Sequence, residues 1–432
     1  MTDTSLPSWA PRQGAVILAM LEAVELGVRE GQPADRVLHK LLAGKKKYGS
    51  RDRRVISDSV FSWFRWHGAI GEFPLAKGLI VAWALEGSDW PPALLAIAEE
   101  LGWSADSLSA LSESRQTADT PLADRKQKIE QGLNVLLPEV TAWLPGWWKI
   151  ETEHLGSFET RLNEHIDRPP TWLRIDQELQ PTLHQELLED GAQWAGEHTP
   201  CAYAFTKPGQ IKAWLDKHPK GIEIQDLASQ QVARICAPEK GQTWWDACAG
   251  SGGKGLHLLD LADKDLDLTC TDKRESAVEN LVKRARAHGL GKLRHYTLDL
   301  TSTNLTFPNL SFDGILVDAP CTGTGTWSRN PDAAWRTEEK DVRQAARRQK
   351  LILQNIAEAV PQGKVLVYAV CSLTKSETLE VVEDFLTTTP EFTLDPFDDP
   401  ITGEKTDGTL TLIPSKLQAD GMYIARFMRN SE

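Results

Sequence analysis

Two cysteines stand out by where they sit. Cys321 closes the sequence FDGILVDAPC, in which an apolar run ends in Asp318, Ala319 and Pro320. Cys371 follows a second apolar run, VLVYAV. Short runs of this kind read as strands, so each thiol falls at a strand's carboxyl end. Pro320 fixes the backbone where the first strand stops. A third segment, WWDACAGSGGKG (Trp244–Gly255), adds a glycine-rich turn upstream. Thiolates are nucleophiles of covalent catalysis. Glycine-rich turns let the backbone approach a ligand closely. Together the segments predict a bound adenosine-type cofactor, with two thiols and the carboxylate of Asp318 over it.

Few reactions need that set, and methyl transfer to carbon 5 of a cytosine is one. Unaided, C5 is a poor nucleophile. A thiolate that adds at C6 makes C5 enamine-like, so that it takes a methyl group from a sulfonium. A base then removes the C5 proton and the thiol is expelled. The attacking thiol needs a lowered pKa. Asp318 is placed to accept a hydrogen bond from the exocyclic amine. Two thiols suit two tasks, attack and release, and the residue types leave open which cysteine does which.

At the cofactor end, Gly250, Gly252 and Gly253 let the chain pass a ligand and enter the next helix, which starts near Lys254 with free N–H groups. The spacing is not GxGxxG, so the dinucleotide fingerprint does not match. About twenty residues on, Asp272 ends the next strand, where an acid accepts from ribose hydroxyls. Asp299 follows a third strand and is a candidate acceptor for an adenine amino group, or a turn residue. An adenosine ligand without a pyrophosphate signature predicts S-adenosylmethionine.

The elements that must position these groups are legible. Candidate strands are Thr243–Ala247, Asp267–Thr271, Leu293–Thr297, Gly314–Asp318, Lys364–Ala369 and Met422–Phe427, with helices Glu275–His288 and Ala333–Val360 between some of them. Such alternation predicts a largely parallel, doubly wound sheet, with ligands at the carboxyl ends of its strands. Before it, WLRID, PTLHQELLEDG and AYAFT predict a small α+β unit ending near Cys236. The segment from Arg12 to about Leu133 repeats apolar residues at three- and four-residue spacing and predicts an all-α domain. Pro138, Pro145, Pro169 and Pro170 punctuate the connector.

A chain of 432 residues is too long for one average core. Its apolar content of 41% is that of a globular protein, and no apolar run approaches a membrane span. The N-terminus lacks a signal-peptide pattern. Six widely spaced cysteines without a CxxC predict neither a zinc site nor a disulfide scaffold, and fit a cytosolic protein. Cys201, Cys236, Cys248 and Cys270 are read as packing residues. The net charge of −13 weighs mildly against a nucleic-acid partner, but binding depends on where basic residues cluster. One cluster is Lys45, Lys46, Lys47, Arg51, Arg53, Arg54 and Arg65. Another is Arg329, Arg336, Arg343, Arg347, Arg348 and Lys350. Trp327 and Trp335 are candidates for base stacking.

The motifs resemble those of the RsmB/Nop/Sun family of RNA cytosine-5 methyltransferases, in particular its bacterial RsmB-like members, over nearly the whole chain. EIQDLASQQVARI (Glu223–Ile235) resembles the family's opening segment. DACAGSGGK resembles its cofactor motif, and DAPCTGTGTWSRNPDAAWR and VCS its two cysteine motifs. IPSKLQADGMYIARF resembles its closing segment. The departures are Ser251 for a proline, Val370 for a threonine, Met422-Tyr423 for a Phe pair, and Arg174-Ile175-Asp176 for an arginine-valine-asparagine type sequence.

The resemblance implies a multidomain protein. Residues 1–135 form an all-α, NusB-like RNA-binding domain. Residues 136–235 form a connector helix and a small α+β, RRM-like subdomain. Residues 236–432 form a C-terminal α/β, Rossmann-like class I methyltransferase domain. It implies Cys371 as nucleophile, Cys321 as the group that assists release, and Asp318 as a contact to the target base. It implies that S-adenosylmethionine is held by Ala247, Cys248, Ala249, Gly250, Ser251, Gly252, Gly253 and Lys254, with Asp272, Asp299 and Asp318. It implies 16S ribosomal RNA as substrate, reached through the N-terminal basic cluster and the RRM-like subdomain by a cytoplasmic monomer without a metal. A transfer-RNA cytosine-5 methyltransferase and a non-catalytic ribosome-assembly factor are the alternatives.

Overall fold

The structure is a computed structural model that describes residues 6–45, 47–113, 120–206, 208–290, 293–302, 305 and 311–431. Lys46, of the first basic cluster, lies outside the described residues. The chain forms two compact units. One runs to Asp167 and also takes in Trp327–Glu338, and the other comprises Arg168–Thr326 and Glu339–Glu432.

The first unit is helical throughout its described residues. In the helix Ala10–Arg29, Ile17, Leu21, Val24 and Val28 are buried, the three- and four-residue spacing of one apolar face. The helix Leu75–Glu86 is buried continuously from Gly78 to Leu85, which makes it the centre of the unit. The connector extends this unit beyond residue 135, because Trp143, Trp148, Leu162 and Ile166 join the helical core. Pro145, read from sequence as linker punctuation, is the N-cap of the helix Gly146–Glu151. The Trp327–Glu338 segment also packs here. Trp327 is 1% exposed and lies edge-on to Trp147 at 5.9 Å. The Trp335 indole donates to the Phe64 carbonyl at 2.8 Å. Both tryptophans singled out for base stacking thus serve the helical unit, Trp327 wholly within its core.

The second unit holds two sheets. The smaller is antiparallel, with strands β1 (Thr171–Ile175), β2 (Gln193–Trp194), β3 (Ala202–Phe205) and β4 (Ile222–Ile224) in the order β2-β3-β1-β4. Both its faces are covered. Leu173, Ile175, Tyr203 and Phe205 pack with Leu183, Leu187 and Trp214 from its helices Gln180–Glu189 and Pro208–Lys217. Trp172, Ala202 and Ala204 join the core built around the larger sheet. Buried Arg174 ties the small sheet to the helix Gly253–Leu261, pairing with Asp260 at 3.2 Å and also with Asp176 at 3.1 Å.

The larger sheet contains β5 (Thr243–Asp246), β6 (Asp267–Asp272), β7 (Arg294–Thr297), β8 (Gly314–Asp318), β9 (Val365–Val370), β10 (Phe392–Leu394), β11 (Thr409–Leu412) and β12 (Met422–Arg429). Its order is β10-β12-β9-β8-β5-β6-β7, with β11 added to β12. Strands β5 to β9 are parallel and β12 runs antiparallel to β9. The six strands expected here are present with bounds shifted by at most two residues. The order switches between β5 and β8, so their carboxyl ends, Asp246 and Asp318, flank the crevice in which such sheets bind ligands. The expected helix Ala333–Val360 is two helices, Ala333–Arg336 and Glu339–Ala357. Thr337 is extended between them (φ −88°, ψ 127°), and only the second piece belongs to this unit.

Candidate active site

Parallel pairing of β8 with β9 sets Asp318 opposite Ala369, which brings the residues beyond them together. The Sγ atoms of Cys321 and Cys371 are 3.2 Å apart. The loop after Cys321 is pinned, not free to close: the Gly325 N–H donates to the Cys371 carbonyl at 3.0 Å, and the Gly421 N–H donates to the Gly325 carbonyl at 2.7 Å. A Cβ on Gly325 would lie 2.2 Å from the Gly421 oxygen. Glycine is required at position 325 by this close approach. The hydrogen bond to Cys371, then burial, then the charges of Glu377 and Asp318 hold the Cys321 thiol well above its ordinary pKa. Cys321 therefore keeps its proton beside Cys371.

Below the thiols lies a charged centre. Lys254, near the start of the helix Gly253–Leu261, places Nζ 2.6 Å from the Asp318 carboxylate. Burial opposes its charge, but Asp318, with Cys371 and Asp246 behind it, raises the lysine above its ordinary range. Asp246 is fully buried, and neither carboxylate oxygen finds a hydrogen-bond partner among the described residues. Burial, helped by the charge of Asp318 and opposed by Lys254, pushes its carboxyl up to about 7. An unpartnered buried carboxylate is costly unless a ligand completes it.

Asp246 opens on a cleft of about 420 Å³. Of the residues expected from sequence, Ala249, Gly250, Ser251, Gly253, Lys254, Asp318 and Cys371 line it. Gly252 turns the chain into the helix at φ +89°, where a side chain would also strike Leu281. Ala247, Cys248 and Cys321 are not among the lining residues, and Cys248 packs against the core beneath. Asp272 stands one layer back. It accepts from the Gly250 N–H at 2.9 Å and the Arg274 N–H at 2.8 Å, so it shapes the turn. Asp299 also lies outside the lining. Its ion pair with Lys273 at 2.7 Å, with help from Thr301, lowers its carboxyl to about 2. The cleft adds Gln225, Asp226, Asp420 and Met422, which fall in the opening and closing segments. It also adds Arg284, whose guanidinium reaches the Ser251 carbonyl at 2.7 Å and for which the sequence carries no signal. Burial holds the thiols of Cys201, Cys236 and Cys270 in their neutral form, as packing residues require.

The basic clusters divide by role. In the first, Arg53 donates to the carbonyls of Leu42, Lys45 and Tyr48, and Arg65 pairs with Glu86 at 2.8 Å, so both serve the fold. Lys47, Arg51 and Arg54 are exposed. In the second, Arg336 pairs with Asp332, Arg343 with Glu339 and Lys350 with Asp384, while Arg347 and Arg348 are exposed. No helix among the described residues is long and apolar enough to cross a membrane.

Comparison with known proteins agrees with this geometry. Residues 233–428 match the family described as 16S rRNA methyltransferase RsmB/F. Ribosomal RNA small subunit methyltransferase B of Pasteurella multocida is 31% identical over 70% of this chain and 67% of its own length. The probable ribosomal RNA small subunit methyltransferase B of Synechocystis is 31% identical over 70% of this chain and 69% of its own. The crystal structure of PH0851 shares the fold, with a TM-score of 0.72 and 20% identity over 98% of this chain and all of that one. NSun6 of Pyrococcus horikoshii, crystallised with the S-adenosylmethionine analogue SFG, aligns at a TM-score of 0.56 and 16% identity over 66% of this chain and 97% of its own. This chain belongs to the RsmB/F family and is an S-adenosylmethionine-dependent RNA methyltransferase.

Proposed function

We propose that the enzyme methylates C5 of a cytosine in 16S ribosomal RNA through a covalent adduct between Cys371 and C6 of the base. The observation that carries this reading is the pair of thiols 3.2 Å apart at the ends of β8 and β9, beside the Lys254–Asp318 ion pair. The relatives' names supply the RNA. Bisulfite sequencing of total RNA from cells with and without the gene tests it: one 16S cytosine is expected to lose its mark. Loss in a transfer RNA instead would replace the substrate, and no change at any cytosine would sink the reading.

In this mechanism Cys371 attacks C6 as thiolate, with the ammonium of Lys254 nearby to favour the anion. Asp318 accepts from the exocyclic amine of the cytosine and fixes the ring over the sulfur. S-adenosylmethionine supplies an electrophilic methyl group when bound. Cys321 then assists elimination: as the S–C6 bond breaks its thiol gives a proton to the departing Cys371 sulfur, and the Cys321 thiolate so formed takes the proton from C5. The cleft suits the cofactor. Asp246 meets the need of its ammonium group, and the backbone from Ala247 to Lys254 forms its cradle. Asp272 is assigned to the ribose hydroxyls, and Asp299, whose oxygens Lys273 and Thr301 now engage, to the adenine end.

The Asp246 assignment has a pH signature. Its carboxyl is raised from 3.8 to about 7, so the fold binds more protons than the unfolded chain between those values. Its contribution to stability therefore falls as pH rises through that window. Asp318, Asp272 and Lys254 are the charged groups that act on it. A cationic ligand group favours the ionised form, so cofactor affinity is expected to rise from about pH 6 to about pH 8. Asp246→Asn is expected to weaken binding roughly ten- to hundredfold and to flatten that dependence. Calorimetric titration at several pH values checks this, and a flat profile in the unaltered enzyme would remove Asp246 from the cofactor site.

The helical unit is read as a NusB-like RNA-binding domain and the small sheet as an RRM-like subdomain. The β2-β3-β1-β4 order with two helices supports the second reading. RRM sheets stack bases on an open face, but here Trp172, Ala202 and Ala204 are buried in the core. The phosphate contacts are therefore assigned to Lys45, Lys47, Arg51 and Arg54 of the helical unit. Replacing Lys45, Lys47 and Arg51 by alanine is expected to lower the log–log salt slope of RNA binding by about 2. An unchanged slope would remove this patch from the interface. A cytoplasmic monomer completes the proposal.

A further inference from the structure

Beyond the reacting groups, one buried carboxylate touches both cysteine loops. Glu377 ends the short 3-10 helix Lys375–Glu377 that follows Cys371, and it is 0% exposed. Its Oε1 accepts from the Thr322 N–H at 2.9 Å and from the Gln349 amide at 2.9 Å. Its Oε2 accepts from the hydroxyls of Ser372 at 2.7 Å and Thr374 at 3.1 Å, and from that of Thr322. Thr322 follows Cys321 directly, and Ser372 follows Cys371. Gln349 also donates to the carbonyl of Pro320, the residue before Cys321, at 3.1 Å. Every neighbour of the two thiols along the chain, except Val370, is thus held by Glu377 or by its partner Gln349. These partners are all neutral. Burying a carboxylate without a counter-ion is expensive, and a neutral side chain of similar size would fill the space at less cost. An ionised carboxylate accepts only, so it forces every surrounding hydroxyl and amide to donate inward.

We infer that Glu377 is a positioning residue for the reaction: it locks the Cys321 and Cys371 loops in the register that keeps the two sulfurs in contact. The inference rests on the reading of Cys371 as nucleophile and Cys321 as its assistant. The charge of Glu377 has a second effect in the same direction, since it helps to keep the Cys321 thiol protonated. Tight positioning of this kind governs turnover more than cofactor binding.

Three variants test it in the full-length enzyme: Glu377→Ala, Glu377→Gln and Thr322→Val. Glu377→Ala is expected to lower kcat at least about 100-fold, with S-adenosylmethionine affinity within about threefold of the unaltered enzyme. In a Cys321→Ala background it should slow formation of the covalent RNA adduct to a similar degree. Glu377→Gln keeps the size and loses the charge, and should recover part of the activity, to within about tenfold of the unaltered enzyme. Thr322→Val removes one donor and is expected to cost roughly three- to tenfold in kcat with KM unchanged. A folded Glu377→Ala enzyme with kcat within threefold overturns the inference, as does one whose only defect is a lower Tm. Should Glu377→Ala fail to fold, unaltered kcat in both Glu377→Gln and Thr322→Val overturns it instead. Cys371→Ser run in parallel separates the two claims. An active Cys371→Ser enzyme fails the nucleophile reading, whereas an inactive one beside an active Glu377→Ala fails the positioning inference alone.

Discussion

Cys371→Ser is expected to lower methyl transfer by at least about 10⁴-fold, the scale on which removal of a covalent nucleophile is felt. A serine hydroxyl presents no anion near neutral pH, and the Lys254 ammonium can favour a thiolate but cannot create an alkoxide. Cofactor affinity should stay within about threefold, because the thiol touches only the reacting end of the cleft. Single-turnover methylation of the RNA substrate, with calorimetric titration of the cofactor, measures both. Residual turnover above about 1% would sink the assignment. Should Cys321→Ser be the inactive variant instead, the roles are reversed, and the chemistry follows the DNA type, in which the cysteine of the Pro-Cys motif attacks.

Cys321→Ala should arrest the reaction after bond formation. The expected result is a protein–RNA adduct that survives a denaturing gel and accumulates to near the amount of enzyme within one turnover. The reason is local. The Cys321 sulfur lies 3.2 Å from that of Cys371, and its proton affinity is raised by that contact, by burial and by two nearby carboxylates. Elimination needs such a group beside the S–C6 bond, to give a proton to the departing Cys371 sulfur and then, as thiolate, to take the C5 proton. Alanine removes it without disturbing attack. The adduct should disappear when Cys371→Ser is added. No adduct with Cys321→Ala, or an adduct that persists in the double variant, would defeat the division of labour.

Much of this site was legible because strands announce their ends. The apolar runs before Asp318 and Cys371 are too regular to be helical, and parallel pairing then brings the residues beyond their ends together. The glycine turn was legible for the same reason, since only glycine tolerates the φ of Gly252. Glu377 was not legible. A glutamate in a polar stretch reads as surface, and its burial depends on Gln349 and Thr322, which are distant in sequence. Asp246 fell inside an expected strand, and its isolation from partners was not legible. Trp327 misled because an aromatic near a reactive cysteine looks the same whether it faces substrate or packs in a core. The break at Thr337 was hidden for a related reason: helical propensity continues across it, while tertiary packing assigns the two halves to different units.

The segment Trp327–Glu338 constrains how the molecule is made. The helical unit begins at the N-terminus, yet Trp327 and Ala334 belong to its core, and the Asp332 carboxylate accepts from the Ala34 N–H at 3.0 Å at the head of an early helix. On the ribosome, the part synthesised first therefore lacks its last interior residues until most of the chain has emerged. The methyltransferase sheet, which gains β9 and β12 later still, reaches completion almost together with it. Vectorial synthesis thus leaves the helical unit unfinished until Trp327–Glu338 has been made. A gene fragment cut after Asp167 leaves one half with an open core and the other with two stray tryptophans.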